Sequence, residues 1–354
     1  MKILHAADIH LGSKIESKFP KTISDKRKKE LLSTFDRMVE YAVDNGIKIV
    51  LLSGDVFDSD KPTVKVKEYF YKVIKDNPDI DFLYLNGNHD KAGSYVEEID
   101  NLKTFNKESV TTYNYGDIDI SGIELTSTNA SSFYSKIILD SKKTNIVMLH
   151  GEVSNTVGTD KIKIDNLKNK GIDYLALGHI HSFGEGKIDE RGIYVYPGCL
   201  EGRGFDEFGE KGFVVLDVTD KISYEFVPFA CRYIYNVDVD VFGAKDLHDI
   251  VQKVKDEVKS FDKKDILRIT LKGELPADIE FEEDDIKSLL EANFFFIDVK
   301  NETSLEIKVE DYDSDNSLIG EFIRGTASNS EYTDEQKQKI INLGLRVING
   351  KEID

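Results

Sequence analysis

The sequence predicts an α/β layered domain followed by a smaller α+β unit, and two observations carry that reading. Over the first 180 residues, short apolar runs alternate with amphipathic stretches, the pattern of strands and helices stacked in layers. After Arg232 the alternation starts again on a smaller scale. The 354 residues leave room for two or three domains. With 40 % apolar and 32 % charged residues and only six prolines, the composition is that of a folded chain.

Taken in order, the apolar runs at 3–7, 49–52, 82–85, 146–149 and 174–177 read as strands. Residues 25–45 place Leu31, Leu32, Phe35, Met38, Val39 and Ala42 at helical spacing, with Gly46 as a stop. A second helix is expected to open at Pro62, since proline suits a first turn. From Gly192 the texture turns β-branched and aromatic, giving strands at 212–218 and 224–229. The restart consists of a strand at 233–239, a helix at 244–261, a strand at 266–271, a weaker helix, and strands at 294–299 and 305–309. Residues 310–317, with three aspartates and a glutamate, read as a solvated linker before two short helices. Of these, the last opens on Thr333 and Gln336 in capping-box spacing and is expected to run to Gly350. The expected divisions are 1–229, 230–310 and 311–354.

Composition also excludes some classes. The longest apolar runs are about five residues, against roughly 20 for a membrane span, so no membrane partner is expected. Nothing at the start reads as an export signal, and a cytoplasmic location is expected. Cys199 and Cys231 are too few for a disulfide framework and are read as reduced and structural. The net charge of -19 is uneven: residues 1–200 carry 27 basic against 30 acidic side chains, residues 201–354 carry 20 against 36. The near-neutral first part tolerates a phosphate backbone, whereas the charge by itself gives no support for one. The basic run Lys26-Arg27-Lys28-Lys29 reads as the solvated face of a helix, with contact to DNA phosphates as the alternative.

The informative feature is where the histidines fall. Five of seven lie just beyond a predicted strand: Asp8-Ile9-His10 after the first, Gly87-Asn88-His89-Asp90 after the third, then His150-Gly151 and Gly178-His179-Ile180-His181. Gly54-Asp55-Val56-Phe57-Asp58 follows the second strand. Ligands in α/β sheets bind outside the carboxyl ends of strands, so these five ends can converge. Carboxylates, one asparagine and five imidazoles suit manganese, iron or zinc, and about eight donors are too many for one tetrahedral ion. Period-two spacing would put Asp8 and His10, and likewise His179 and His181, on one side if the strands continued. Glycines 54, 87 and 178 would permit close backbone approach. His5, inside a strand, and His248, on a helix, read as structural.

These motifs, in this order, resemble the signature of calcineurin-like metallophosphoesterases. Within that superfamily, Asp8-Ile9-His10-Leu11-Gly12, Gly54-Asp55-Val56-Phe57-Asp58, and Tyr196-Pro197-Gly198 followed by Lys211-Gly212-Phe213 resemble the SbcD-type DNA repair nucleases, bacterial relatives of the Mre-eleven nuclease. The resemblance covers residues 1 to about 229. It implies a β-sandwich flanked by helices, a small α+β capping domain, and a helical C-terminal tail that docks an ATPase. It also implies two divalent ions, manganese first: Asp8, His10 and His181 on one, Asn88, His150 and His179 on the other, Asp55 bridging. His89 would be the acid and Asp90 its orienting partner. The implied partners are DNA, an SMC-like SbcC-type ATPase and a second copy of the chain, and the implied activity is manganese-dependent exo- and endonucleolytic cleavage.

The sequence departs from the family where Asp58 stands in place of a histidine carried by some members, and where Cys199 stands in place of a common serine. Asp58 is therefore read as a neighbour of the ligands. Two other functions compete. One is a phosphatase or cyclic-nucleotide phosphodiesterase on the same dimetal core, which would need no extra 120-residue region. The other is a DNA-clamping subunit with dispensable chemistry, against which the full set of motif ligands argues.

Overall fold

The computed structural model describes all residues except 16–18, 91–98, 157, 220–221, 277–278, 307–308 and 349–354. The chain divides into two compact units, Met1–Ile234 and Tyr235–Asp354. Each is built from the elements below.

The first unit is a sandwich of two six-stranded mixed sheets. One contains β1 (Lys2–Ala6), β2 (Ile49–Ser53), β3 (Asp81–Leu85), β4 (Leu102–Thr104), β13 (Gly212–Val218) and β14 (Ile222–Pro228), in the order β14-β13-β1-β2-β3-β4. The other contains β5 (Thr111–Tyr115), β6 (Ile118–Gly122), β7 (Thr144–His150), β10 (Tyr174–Gly178), β11 (Gly184–Lys187) and β12 (Ile193–Tyr196), in the order β11-β12-β10-β7-β6-β5. A minor parallel pair, β8 (Glu152–Val153) and β9 (Lys161–Ile162), lies between β7 and β10 in sequence.

Burial explains why the strands read as unbroken apolar runs. Along β2, Ile49 and Leu51 pack between the sheets with Ile3, Leu83, Ile146, Met148 and Tyr174. Val50 and Leu52 point the other way, into a layer formed with α1 (Lys21–Asp44) and α2 (Val64–Asp76). Both faces are covered, so no alternation with polar residues survives. The outer face of the second sheet, through Val147, Leu149, Leu175 and Leu177, is covered by Ile162, Leu167 and Phe133, the last on the short α3 (Phe133–Lys136).

In the first unit two helix starts differ from expectation, and in the second the helix expected at 244–261 is Leu247–Val258, capped by Asp246. α1 begins at Lys21, four residues early, because its first turn is held by Ile23 and Ser24 N–H donating to the Pro20 carbonyl. α2 begins at Val64, since the Thr63 side chain accepts from Val66 N–H and is the cap, leaving Pro62 outside the helix.

In the basic run at the start of α1, Lys26 and Lys29 are exposed as expected, and Arg27 is the correction. Arg27 is 1 % exposed and its guanidinium donates to Glu201 Oε2 at 2.7 Å, the Gly202 carbonyl at 2.8 Å and Glu30 Oε2 at 2.5 Å. It is a buried anchor between α1 and the loop at 199–211, closed to phosphate.

The second unit places β15 (Ile234–Asp240), β16 (Ile266–Lys272) and β18 (Phe296–Asn301) in one sheet, packed through Val237, Val239, Leu267, Ile269 and Ile297 against α4 (Leu247–Val258) and α5 (Glu283–Leu290). A parallel pair, β17 (Glu274–Leu275) and β19 (Ser304–Leu305), adds to it. Of the expected strand at 305–309, Leu305 ends β19, residues 307–308 lie outside the described residues, and Val309–Tyr312 forms a 3-10 turn. Thus the acidic stretch is not simply a solvated linker. Val309 and Tyr312 pack with Ile323 of α6 (Leu318–Ala327) and with Ile341 and Leu345 of α7 (Asp334–Ile348). Thr333 and Gln336 exchange the reciprocal bonds of a capping box. The expected helix end at Gly350 lies outside the described residues. His248 is exposed on α4 and takes no part in the core.

Candidate metal centre

Five strand ends meet at one edge of the sandwich. The segments after β1 and β2 run side by side, with Asp8 N–H donating to the Gly54 carbonyl at 3.0 Å, His10 N–H to Asp55 at 3.0 Å and Leu11 N–H to Val56 at 2.7 Å. The second sheet joins them where His179 N–H donates to both oxygens of Asp8, at 3.0 and 2.9 Å. His150 at the end of β7 donates from Nδ1 to the Ser53 carbonyl at 2.9 Å.

Strand conformation does not continue through the ligand motifs. Asp8, His10, Asp55 and His179 have φ of 50°, 52°, 50° and 99°, four of the six non-glycine residues with positive φ among those described. Left-handed backbone in residues with a Cβ costs free energy and is kept where packing enforces it, typically at functional sites. The side chains share a side through these turns, not through a period of two. Close approach also needs Gly87, where a Cβ would stand 2.1 Å from Asp55 Oδ1 and 2.5 Å from Asp55 N.

Two donor groups result. Asp8, His10 and His181 form one, Asp8, Asp55 and His150 the other, the donor atoms within each lying within 4.8 Å of one another. Asn88 stands beside the second, its Oδ1 3.0 Å from His150 Nε2 and 3.1 Å from His179 Nδ1. His10 Nε2 and His181 Nε2 face each other at 3.2 Å. Two imidazole nitrogens this close, at the side of a buried carboxylate, are a donor set for a divalent cation.

The electrostatics are those of donors crowded together out of water. Burial pushes the Asp8 carboxyl up to about 7, moderated by the charges of His150 and His181. Burial likewise pushes His10 down to about 4, so the ring is neutral and able to ligate. Burial works against charge on Asp55 and His150 too. The hydrogen bond between them and their mutual attraction outweigh it, holding Asp55 below the usual carboxylate range and His150 up at about 9.

The two residues expected to do the acid chemistry are placed differently. His89 is exposed at the mouth, its ring edge-on to His10 with centroids 5.3 Å apart, and its backbone N–H donates to Asp55 Oδ1 at 2.8 Å. Asp90 does not orient that ring. Its carboxylate is buried and accepts from the N–H groups of Val56 at 2.9 Å, Phe57 at 2.7 Å and Gly87 at 3.3 Å, tying the β2 and β3 loops together. These three donors hold the carboxylate between the two loops.

The centre also contains residues that the motifs did not point to. Glu207 Oε1 lies 2.8 Å from His181 Nδ1, Arg203 donates to Glu207 and Asp58, and the buried Lys211 donates to the His181 carbonyl at 2.8 Å. A run of charged residues among the glycines at 202, 204 and 209 was the only available signal. His5 is buried with Nδ1 3.0 Å from the Tyr174 hydroxyl, away from the ligands.

Residues 1–183, just over half of the chain, match the family described as calcineurin-like phosphoesterase. The chain belongs to that family. This phosphoesterase is similar, at 27 % identity over 374 residues covering 97 % of it and 94 % of the relative, to the "DNA double-strand break repair protein Mre11" of Sulfolobus acidocaldarius. It is 28 % identical over 300 residues, 78 % of its own length and 72 % of the relative's, to the uncharacterized metallophosphoesterase YhaO of Bacillus subtilis. The Mre11 protein of Saccharolobus solfataricus is 26 % identical over 313 residues, 80 % of this chain and 78 % of its own. The enzyme is thus a metallophosphoesterase with a site fit for divalent cations. No helix among the described residues is long and apolar enough to cross a membrane.

Proposed function

We propose that this chain is the nuclease subunit of a DNA repair complex, hydrolysing DNA phosphodiesters with two manganese ions and working with an SMC-like ATPase of the SbcC type. The single observation that carries the reading is the pair of adjacent donor groups sharing Asp8, in a chain similar to an Mre11 protein along 97 % of its length. Asp8, His10 and His181 would hold one ion, Asn88, His150 and His179 the other, and Asp55 would bridge. When bound, such a pair neutralises the phosphodiester, activates water and stabilises the attacking and departing oxygens. His89 stands at the open side to protonate the leaving oxygen. Asp90 holds the turn that presents Asn88 and His89. The second unit is read as the capping domain with its tail, the protein as a cytoplasmic homodimer.

Purified protein is expected to hold two manganese ions per chain and to cut DNA only with metal present, chelator abolishing cleavage. The measurement is elemental analysis alongside degradation of defined single- and double-stranded DNA, a cyclic dinucleotide and a phosphomonoester. Faster turnover of either small substrate would favour a phosphatase or cyclic-nucleotide phosphodiesterase. DNA binding without cleavage would favour a clamp.

The ATPase is proposed to dock on the tail. α6 and α7 bury Ile323, Ile341 and Leu345 between them, yet Leu318, Leu343, Val347 and Ile348 stay 74 %, 44 %, 52 % and 41 % exposed. Leu343 and Val347 are one turn apart, an apolar face suited to a partner helix. The double substitution Leu343→Glu with Val347→Glu is expected to weaken capture of the ATPase at least about tenfold, each side chain contributing roughly 1 kcal/mol or more, while cleavage by the isolated chain is unchanged. Undiminished co-purification would move the docking surface elsewhere.

A further inference from the structure

Outside the donor atoms themselves, the centre holds a second ring of charge. Arg203, whose side chain is 13 % exposed, donates from Nη1 to Asp58 Oδ1 at 2.6 Å and grips Glu207 through Nη2 at 2.5 Å and Nε at 3.1 and 3.2 Å. Each carboxylate turns to a histidine. Glu207 Oε1 is 2.8 Å from His181 Nδ1, and Asp58 Oδ1 is 3.2 Å from His10 Nδ1, somewhat off the line of an ideal hydrogen bond. Arg203 Nη2 also lies 3.3 Å from His181 Nδ1. A guanidinium can only donate and an ionised carboxylate can only accept, so the shorter contact decides and His181 Nδ1 carries the hydrogen. The same logic protonates His10 at Nδ1. Both Nε2 lone pairs then point at one place, 3.2 Å apart.

We propose that Arg203, Glu207 and Asp58 form a positioning brace that sets the tautomers of His10 and His181 and thereby builds the affinity of one cation site without affecting the other. The inference rests on the two-metal reading above. A free imidazole divides between two tautomers, and the wrong one aims an N–H at the cation. Removing an outer partner of a ligating histidine costs metal affinity about 10–100-fold. The brace touches only one side of the centre: His150 takes its orientation from the Ser53 carbonyl, and His179 lies beside Asn88 and Asp160. It is itself anchored, Arg203 N–H donating to Glu207 Oε2 at 2.7 Å and Lys211 fixing the His181 carbonyl. The aspartate at position 58 has a use here that a histidine would not serve, since it accepts from Arg203 while setting a carboxylate oxygen 3.2 Å from His10 Nδ1.

The test is manganese titration of full-length wild type, Glu207→Ala and Glu207→Gln, read by calorimetry and by electron paramagnetic resonance, with thermal melts of each. Wild type should bind two ions with an exchange-coupled spectrum. Glu207→Ala should weaken one site about 10–100-fold and leave the other unchanged, so that one equivalent gives the six-line signal of an isolated ion. Glu207→Gln, whose amide oxygen can still accept the Nδ1 hydrogen, should retain most of the affinity, and it carries the comparison if the alanine variant does not fold. Both sites weakening together, or neither, would overturn the brace. A wild type that binds fewer than two ions would overturn the two-metal reading first, a separate failure visible before any variant is compared.

Discussion

On the proposed two-metal reading, replacing His89 by Gln should reduce DNA cleavage by about 10²–10⁴-fold, the usual contribution of a positioned general acid, while the variant still binds metal. The structure separates the two properties. What His89 gives the centre is a backbone N–H to Asp55 Oδ1 at 2.8 Å, which glutamine also supplies. Its ring leans edge-on against His10, and His89 is exposed. An Asp55→Ala chain is the opposite case: it loses the acceptor for that N–H and the carboxylate 3.4 Å from His150, and should lose metal together with activity. Elemental analysis of both variants beside single-turnover cleavage rates decides the matter. Equal metal loss in the two would make His89 part of the ligand scaffold rather than the acid.

The largest expected effect on stability lies outside the ligand set, at Arg27. Its guanidinium is 1 % exposed and donates to Glu201, Glu30 and the Gly202 carbonyl. Arg232 also grips Glu30, and Thr34 donates to Glu201 at 2.6 Å. Arg27→Met keeps the length of the side chain but strands Glu201, itself 2 % exposed, without its cation. Breaking a buried pair from one side costs about 3–5 kcal/mol. For a domain of this size that lowers Tm by roughly 6–20 °C. Chemical and thermal unfolding measure it. Combining Arg27→Met with Glu201→Gln should recover part of the loss, because the amide needs no counter-charge. A single variant within about 1 kcal/mol of wild type, the range of an exposed ion pair, would show that this network contributes little. The loop at 199–211 carries both Glu201 and the Arg203 and Glu207 pair, so a loosened anchor should also be felt at His181.

How much was legible in the sequence follows from the range of the interactions involved. Strands buried on both faces, such as Ile49–Ser53, show as unbroken apolar runs, and the glycine, aspartate or histidine after each marks where the run leaves the core. That is local information, and it located Asp8, His10, Asp55, Asn88, His150, His179 and His181 at strand ends that meet. The capping box at Thr333 is local in the same way. What the sequence could not reveal depends on partners far along the chain. Arg27 looked like one member of a solvated basic run because Glu201, 174 residues away, is what buries it. Arg203 and Glu207 had no periodicity to announce them, and their meaning comes from Asp58, 145 residues before Arg203, and from His181. The left-handed turns at Asp8 and His10 replaced an expected strand because the loop after β2 runs alongside and takes their N–H groups. Asp90 turned from orienting His89 to bracing two loops for a like reason: three backbone donors from folded turns outcompete one ring. The sequence by itself determined which side chains stand at the ends of buried strands, because burial writes its pattern into neighbouring residues. Only the tertiary structure decided which charges pair behind them, because a hydrogen bond acts over about 3 Å in space and leaves no mark on the spacing of residues along the chain.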